Sequence, residues 1–528
     1  MYKIKAVSVA ALTLLLLNAC TMVGPDYKKP ETQVDDQWMN ANGSSGNHGA
    51  NASKTQDAAW WKSFNDPVLN NLIEEGYKNN LNLQSTGMNV LQARALLAQS
   101  VGELYPQQQS LSADYTRQSM GSGGVDSDTR SSTFDIASTT LQASWEPDFW
   151  GKYRRAIRAD DASFLSSLAA YDDALVSLTA EIGTSYVAIR MYQAQIAVTE
   201  KNIAVQKESL HLMRNRYQVG QVSESDVEQA ITSLAQTEAS LPPIKTDLQQ
   251  EKDALAVLLG TTPKKVDGLL LPKKANTKSN KIPVAPSSVA VGIPKDILRQ
   301  RPDVRQAELE AIAQSEGIGA IKAQLYPAFS LIGSFGYSAS NMNDSSTNDI
   351  FQWSNRTYSI GPSLSLPLLN YGQITNQVRQ QDAVFQQAIF NYQNAVLNAQ
   401  KEVQDGIVSY VEAQKTLKSM TAANTAALKT TQLTLIRYQE GEVDYSDVLN
   451  AEVDQLNVQL SLINAQGSVP QDVISLYRAL GGGWQIRQGH DVVSDNVKKQ
   501  MSNRTNWGNM LNTNSEADKP PSSVLPSW

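Results

Sequence analysis

Arg216-Tyr217-Gln218-Val219-Gly220 returns later in the chain as Arg437-Tyr438-Gln439-Glu440-Gly441, at an offset of 221. The same offset carries Ser225-Asp226-Val227 onto Ser446-Asp447-Val448 and Leu259-Gly260 onto Leu480-Gly481. Upstream, Leu104-Tyr105-Pro106 matches Leu325-Tyr326-Pro327, Gly151 matches Gly372, and Tyr171 matches Tyr392. One register held over that span without a net insertion marks an internal duplication. The two copies occupy 60–260 and 296–481, with a Lys- and Pro-containing connector at 261–295 and further segments at 20–59 and 482–528.

Each copy reads in one order: helix, two strands, a very long helix, a tight turn and a return helix. The first helices are expected at 81–104 and 302–325, each stopped by a Tyr-Pro pair, because the residue before proline disfavours the helical region. Arg301-Pro302-Asp303 suits a helix start. In the second copy, strands are expected at 327–340 and 356–367. Tyr358, Ile360, Pro362, Leu364 and Leu366 alternate with Thr357, Ser359, Gly361, Ser363 and Ser365. Phe329, Leu331, Phe335 and Tyr337 likewise oppose Ser330, Ser334, Gly336 and Ser338, with Ile332 as the exception. Period two with one apolar face is a sheet pattern, and the run length suits a membrane-spanning strand. Pro362 is expected near a bulge or at a strand edge, because it lacks a ladder donor.

The first copy, with strands at 105–117 and 132–146, is weaker. Leu111, Ala113 and Tyr115 share a face, as do Phe134 and Ile136, and the pattern changes phase before Leu141, Ala143 and Trp145. Residues 121–130 and 341–349 read as polar hairpin loops.

No proline interrupts Gly151 to Arg216, a length of about 100 Å as helix. The return helix, expected at 223–259, is much shorter, so it and the first helix are expected to stack end to end along the long one. Four strands cannot close a barrel, and open edges are costly in hydrocarbon. Two chains would give about eight strands, too narrow for a conduit, so three chains are the better solution.

The amino terminus sets the compartment. Lys3 and Lys5 precede the apolar run Ala6–Leu17, and Leu17-Asn18-Ala19-Cys20 follows. Residues 1–19 read as a signal peptide, and Cys20, the single cysteine, sits where a lipoprotein signal places its acylated residue. Two or more acyl chains on Cys20 would anchor it stably. The alternative is an ordinary cleaved signal followed by an incidental cysteine. Residues 40–58 form a polar, glycine-rich linker, and the ordered body is expected to begin at Trp60-Trp61. The tail from 490 to 528 is polar and is expected to be partly mobile.

Composition narrows the chemistry. A net charge of -7 with 18% charged residues gives no general basic face for nucleic acid. The lone cysteine excludes an intrachain disulfide, and His48, His211 and His490 have no metal-ligand spacing. No GxGxxG, Walker A or HExxH pattern occurs, and Gly481-Gly482-Gly483 lacks the residues of a phosphate loop. No enzyme, cofactor or metal site is expected.

The duplicated half, the two RYQxG turn segments, DILRQRPDVRQAE at 296–308 and CTMVGPDYKKP after the signal resemble the TolC-like outer membrane factors, the NodT-type efflux lipoproteins. The resemblance covers nearly the whole mature chain. It implies a mainly α fold with membrane β: a homotrimer with a twelve-stranded barrel in the outer membrane, a periplasmic α-helical barrel and a mixed α/β equatorial belt. It implies a passive exit duct for drugs or other small molecules, served by a periplasmic adaptor and a proton-driven, RND-type inner membrane transporter.

In those terms Val219, Gly220, Val222, Glu440, Gly441 and Val443 belong to hairpin tips that meet the adaptor; the plainer alternative is a pair of inter-helix loops. Asp447 matches an acidic residue that lines the closed periplasmic mouth, with Asp226 as its repeat mate. Three copies around an axis would attract cations. The family's second acidic position is Asn450 here, which weakens the case for a double ring. Asp near a helix start also favours the helix dipole. Arg437 and Tyr438 are candidates to bond across helices and hold the mouth shut. Trp145, Phe149, Trp150 and Tyr153 cluster where strand gives way to long helix, either at headgroup depth or packing the joint. Competing readings are a metal-ion or protein-secretion outlet and a periplasmic coiled-coil tether; the strand pairs argue against a tether.

Overall fold

The computed structural model describes residues 22–36, 38, 58–120, 132–271, 281–286, 289, 298–342 and 346–511. Helices α1 (Pro67–Asn79) and α2 (Leu81–Gly102) lead into strands β1 (Gln108–Met120) and β2 (Ser132–Trp145). The long helix α3 (Lys152–Gln218), the return helix α4 (Glu224–Leu258) and the short α5 (Pro263–Leu269) follow. The second copy comprises α6 (Pro302–Lys322), β3 (Ala328–Ser340), β4 (Arg356–Ser365), α7 (Gln373–Gln439) and α8 (Tyr445–Ala479), and α9 (Asp495–Arg504) closes the described chain. Both long helices have 67 residues and both return helices have 35, so the duplication holds to the residue in the hairpins.

The short helices stack end to end in both copies, at equivalent residues. Asn80 caps α2: its Oδ1 accepts from Leu83 N at 2.7 Å, and its Nδ2 donates to the Leu258 carbonyl at the end of α4 at 2.9 Å. Its repeat mate Arg301 stands before α6 and donates from Nη1 to the Ala479 carbonyl at the end of α8 at 2.6 Å. Arg301 Nη2 also meets Asp303 Oδ2 and Glu402 Oε2, each at 2.7 Å. One joint is therefore made by a neutral amide and the other by a buried guanidinium.

Helix α3 packs against α2 and α4 on one side and against α6 and α8 on the other, whereas among the described helices α7 packs mainly against α6 and α8. Accordingly α3 buries residues from Arg155 to Met213, and α7 only a central stretch from Ala388 to Tyr410. Val384, Phe390, Leu397, Leu433 and Leu435 of α7 stay exposed, so among the described residues one flank of the helical array lacks a neighbour. The main core lies at mid-height. Fully buried Trp60 stacks on Tyr477, with ring centroids 5.7 Å apart, and meets Trp61 and Phe64 edge-on.

The four strands form one antiparallel sheet in the order β1-β2-β3-β4. Registry pairs Leu111 with Leu141, Leu141 with Phe335 and Phe335 with Tyr358, a continuous apolar row on one face. The other face carries Ser110, Gln142, Ser334 and Ser359 in the adjacent row, where the Ser334 and Ser359 hydroxyls lie 2.9 Å apart. Leu111, Tyr115, Tyr358, Ile360 and Leu364 are exposed in the single chain. Among the described residues no helix is long and apolar enough to cross a membrane.

Several expectations change. The ladder of β2 on β1 is unbroken from Gln108–Ser144 to Met120–Ser132, so the backbone has no phase shift. Phe134 and Ile136 instead lie on the face opposite Leu141, and β1 starts at Gln108 rather than at 105. Pro362 takes the edge alternative and not the bulge: it lies in edge strand β4, in regular register with Leu331. The packed body does not begin at Trp60. Residues 22–36 form a strap over the upper helices: Val23 N donates to Trp150 O at 3.0 Å, Lys29 Nζ meets Glu308 Oε2 at 2.6 Å, and Gln400 Nε2 donates to Asp35 Oδ2 at 2.6 Å. Gly24 and Gly319 touch backbone to backbone, where a Cβ on Gly24 would come within 2.5 Å of the Gly319 Cα. The tail is packed as far as Leu511: Val492, Val493, Met501 and Leu511 join the main core. Residues 1–21, with the signal peptide and Cys20, most of the linker 40–58 and the loop 121–130 lie outside the described residues.

Candidate functional site: the hairpin tips

The two helical hairpins reverse at Gly220 and Gly441, whose φ values are +76° and +78°. A left-handed residue just past a helix end favours glycine, because a Cβ there is strained. The Gly220 and Gly441 amides donate to Tyr217 and Tyr438 carbonyls, and Gln221 and Glu442 amides donate to Arg216 and Arg437 carbonyls, both at 2.9 Å. This is a Schellman cap, built twice. No atom lies within 4 Å of a Cβ placed on either glycine, so the tips project into open space. Val219 and Glu440 are exposed, while Val222 and Val443 are half-buried.

The return helices start differently. In α4, Ser223 and Asp226 form a capping box: Asp226 Oδ2 accepts from Ser223 N at 2.9 Å and from Ser223 Oγ at 2.8 Å. The Asp226 carboxylate is thus engaged within its own turn. In α8 the cap is Asp444, with no side-chain capping bond, and Asp447 is exposed. Asp447 lines a groove of about 680 Å³ between α7 and α8, together with Arg437, Asn450 and Asp454.

Arg437 and Tyr438 diverge, as successive helical residues do. Arg437 faces the groove and pairs with Glu442 at 3.2 Å, both exposed. Tyr438 faces the seam between the hairpins: its hydroxyl donates to Met213 Sδ at 3.5 Å, its ring lies 5.3 Å from Tyr445, and the Arg216 guanidinium sits 5.7 Å above it. The structure therefore brings Arg437 and Asp447 together and sets Tyr438 and Asp226 elsewhere. Sequence reasoning missed Asp454, which the seven-residue spacing from Asp447 would have placed on the same helix face. It also missed Tyr445 and Glu452, whose burial depends on where α3 lies.

At the opposite end, the aromatic cluster packs the joint between sheet and helices. Trp145 Nε1 donates to Leu104 O at 3.1 Å, and Trp150 Nε1 to Pro327 O at 2.8 Å. Trp150 stacks on Tyr326 at 4.8 Å, Phe149 meets Phe329 edge-on at 5.4 Å, and the Tyr153 hydroxyl donates to Glu146 Oε2 at 3.2 Å. Among the described residues no group of His, Cys, Asp and Glu could hold a metal ion.

Comparison with known proteins fits this architecture. The family described as "Outer membrane efflux protein" matches residues 72–261 and again 293–482, one match per copy. Nodulation protein T of Rhizobium leguminosarum bv. viciae is 30% identical over 479 residues, covering 90% of this chain and 93% of that protein. The cation efflux system protein CusC of Escherichia coli is 28% identical, covering 89% and 97%. The solved outer-membrane channel OprN superposes with a TM-score of 0.78 at 28% identity, covering 88% of this chain and 99% of that one. With the duplicated hairpins, the sheet and both family matches in agreement, this chain belongs to the outer membrane efflux proteins, non-enzymatic passive exit ducts that sit in the outer membrane and extend into the periplasm.

Proposed function

We propose that three copies close head to tail into a duct, with a twelve-stranded barrel above and a ring of helices below, and that drugs or other small molecules leave through it. The observation that carries this reading is that one chain is open on both flanks. Among the described residues, β1 and β4 are unpaired sheet edges, and α7 lacks a neighbour on the side where its exposed leucines lie. Head-to-tail contacts that close generate rings, and closure removes every edge. The apolar row of the sheet then faces lipid and the serine row faces the lumen. Spin labels at Phe335 and Leu364 are expected to report lipid contact, and labels at Ser334 and Ser363 water. Water contact at the first pair would reverse the barrel.

The hairpin tips around Gly220 and Gly441 are the surface offered to a periplasmic adaptor, which links the duct to an RND-type inner membrane transporter. A covalent lipid on Cys20 anchors the chain in the outer membrane leaflet; mass analysis of the mature amino terminus tests it, and an unmodified terminus at another residue rejects it.

Asp447 forms the charged ring of the resting mouth. Support comes from its exposed position on the polar face of α8, with Asn450 and Asp454 in the same groove. Asp447→Asn is expected to lower the cation-to-anion permeability ratio in planar bilayers several-fold, because three carboxylates leave one constriction together. Tyr438→Phe, which removes only the hydroxyl on Met213, is expected to leave that ratio unchanged. An unaltered ratio in Asp447→Asn would move the selectivity ring elsewhere.

A further inference from the structure

The far ends of the hairpins are held together by a small apolar cluster that includes Leu210 and Met213 of α3, Val227 of α4, and Tyr445, Val448 and Leu449 of α8. Polar groups are sealed in just above it. Glu452 Oε2 on α8, Gln206 Oε1 on α3 and Ser233 Oγ on α4 are all shut off from solvent without a hydrogen-bond partner. The register of α8 against α3 is set by Asn202 Nδ2 donating to Gln459 Oε1 at 3.1 Å and Gln195 Nε2 donating to Asn464 Oδ1 at 2.7 Å. About two turns nearer the tip, that antiparallel register brings Glu452 opposite Gln206 and Ser209.

A carboxylate oxygen and a carboxamide oxygen are both acceptors and cannot satisfy each other. A proton on Glu452 supplies a donor between those two oxygens. Of the surrounding titratable and charged groups, only the Tyr445 hydroxyl is likewise sealed in without a hydrogen-bond partner; the others are engaged or exposed. On α4, Asp226 is held in its capping box and Glu228 lies along the groove beside Ser233 and Val453. On α3, Lys207 is paired with Glu238 at 2.8 Å and Glu208 is exposed. On α7, Thr431 donates to the Ala451 carbonyl at 2.9 Å, Lys429 is exposed, and Arg437 is paired with Glu442. On α8 itself, burial and then the Glu452 charge push the Tyr445 phenol up to about 12.

We propose that Glu452 is a proton-operated latch between the two hairpins: its protonated carboxyl donates to the Gln206 amide oxygen, holding α8 against α3, and loss of that proton loosens the seam. The latch rests on reading α8 as the mobile wall of the duct's mouth. Burial pushes the Glu452 carboxyl above its ordinary range, which agrees with a neutral group in the closed seam. The sign follows from linkage. The closed seam binds the proton more tightly than the open one, so closure is fully supported below the ordinary carboxylate range and weakens as pH climbs through the raised value. Each pH unit inside that window changes the closed-to-open ratio by up to about tenfold per chain.

The test compares wild type with Glu452→Gln, whose amide donates at every pH. Deuterium exchange along Val448–Leu456, corrected for intrinsic rates, is expected to rise severalfold in the wild type between about pH 5 and about pH 8 and to stay flat and low in Glu452→Gln. Resting conductance in bilayers follows the same pattern. A wild-type pH response retained in Glu452→Gln, or absent from the wild type, overturns the latch. If Glu452→Gln does not assemble, Gln206→Met, which removes the acceptor, must shrink the response, and an unchanged response is equally fatal. Exchange on the detergent-solubilised chain needs no conduction, so a protein that responds in exchange but conducts nothing at any pH fails as a duct and keeps its latch.

Discussion

Arg155→Met is expected to lower the thermal midpoint of the protein and to release the amino-terminal strap. Arg155 is 1% exposed; its Nη1 meets Glu316 Oε2 at 2.7 Å and its Nη2 meets Asp26 Oδ1 at 2.9 Å. The Asp26 side chain is 81% exposed, so that ion pair contributes little on its own. Glu316 is different, because its side chain is only 9% exposed and loses its cation inside the protein. Breaking one side of a buried pair costs about 3–5 kcal/mol, most of it from the charge left behind. The double variant Arg155→Met/Glu316→Gln should therefore recover part of the loss, and the non-additivity measures the coupling. Trypsin should cut after Lys28 faster in the single variant, since the Lys29-Pro30 bond resists it. Equal melts for wild type, single and double variants would show that the pair does not hold the strap.

Arg301→Met is expected to open the α8–α6 joint more than Asn80→Ala opens the equivalent α4–α2 joint. Arg301 is 6% exposed and joins the Ala479 carbonyl to two carboxylates; without it Asp303 and Glu402 are left facing each other. Only the Ala479 bond crosses the joint, and a hydrogen bond from a charged donor is worth about 1.5–3 kcal/mol; Asp303 and Glu402 are 32% and 53% exposed, so their pairs add little. Asn80→Ala removes one helix cap and one neutral amide bond, about 1–2 kcal/mol together. Amide exchange at the carboxyl-terminal turns of α8 and α4 reads the two joints separately. Equal deprotection would mean that the duplication kept the energetics as well as the geometry.

The hairpins were legible because they repeat and because their turns need glycine at a left-handed position. The second copy's strands were legible from period two alone. The first copy's were less so, because Phe134 and Ile136 break the alternation while the ladder beneath them does not. The strap was illegible for a different reason. It is held by backbone contact at Gly24 and Gly319 and by single side-chain bonds to three helices, and such contacts leave no periodic trace. At the tips, Gly220, Gly441 and Asp447 could be found by position in the repeat. Which way Arg437 and Tyr438 point, and that Glu452 is sealed in, depend on helices more than two hundred residues away in the chain.

The equal lengths of α3 and α7 carry a consequence for how the protein can change over time. Tyr438 near the end of α7 touches Met213 near the end of α3, so the two tips come level at one rim. Adding a heptad to α3 alone would push its tip about 10 Å past the other. It would also leave the α2–α4 stack too short to cover it, because Asn80 and Leu258 already meet end to end. The fold behaves as a length standard. A change in rod length must be made in both copies and in both stacks at once, whereas the loops between packed elements can vary without disturbing it.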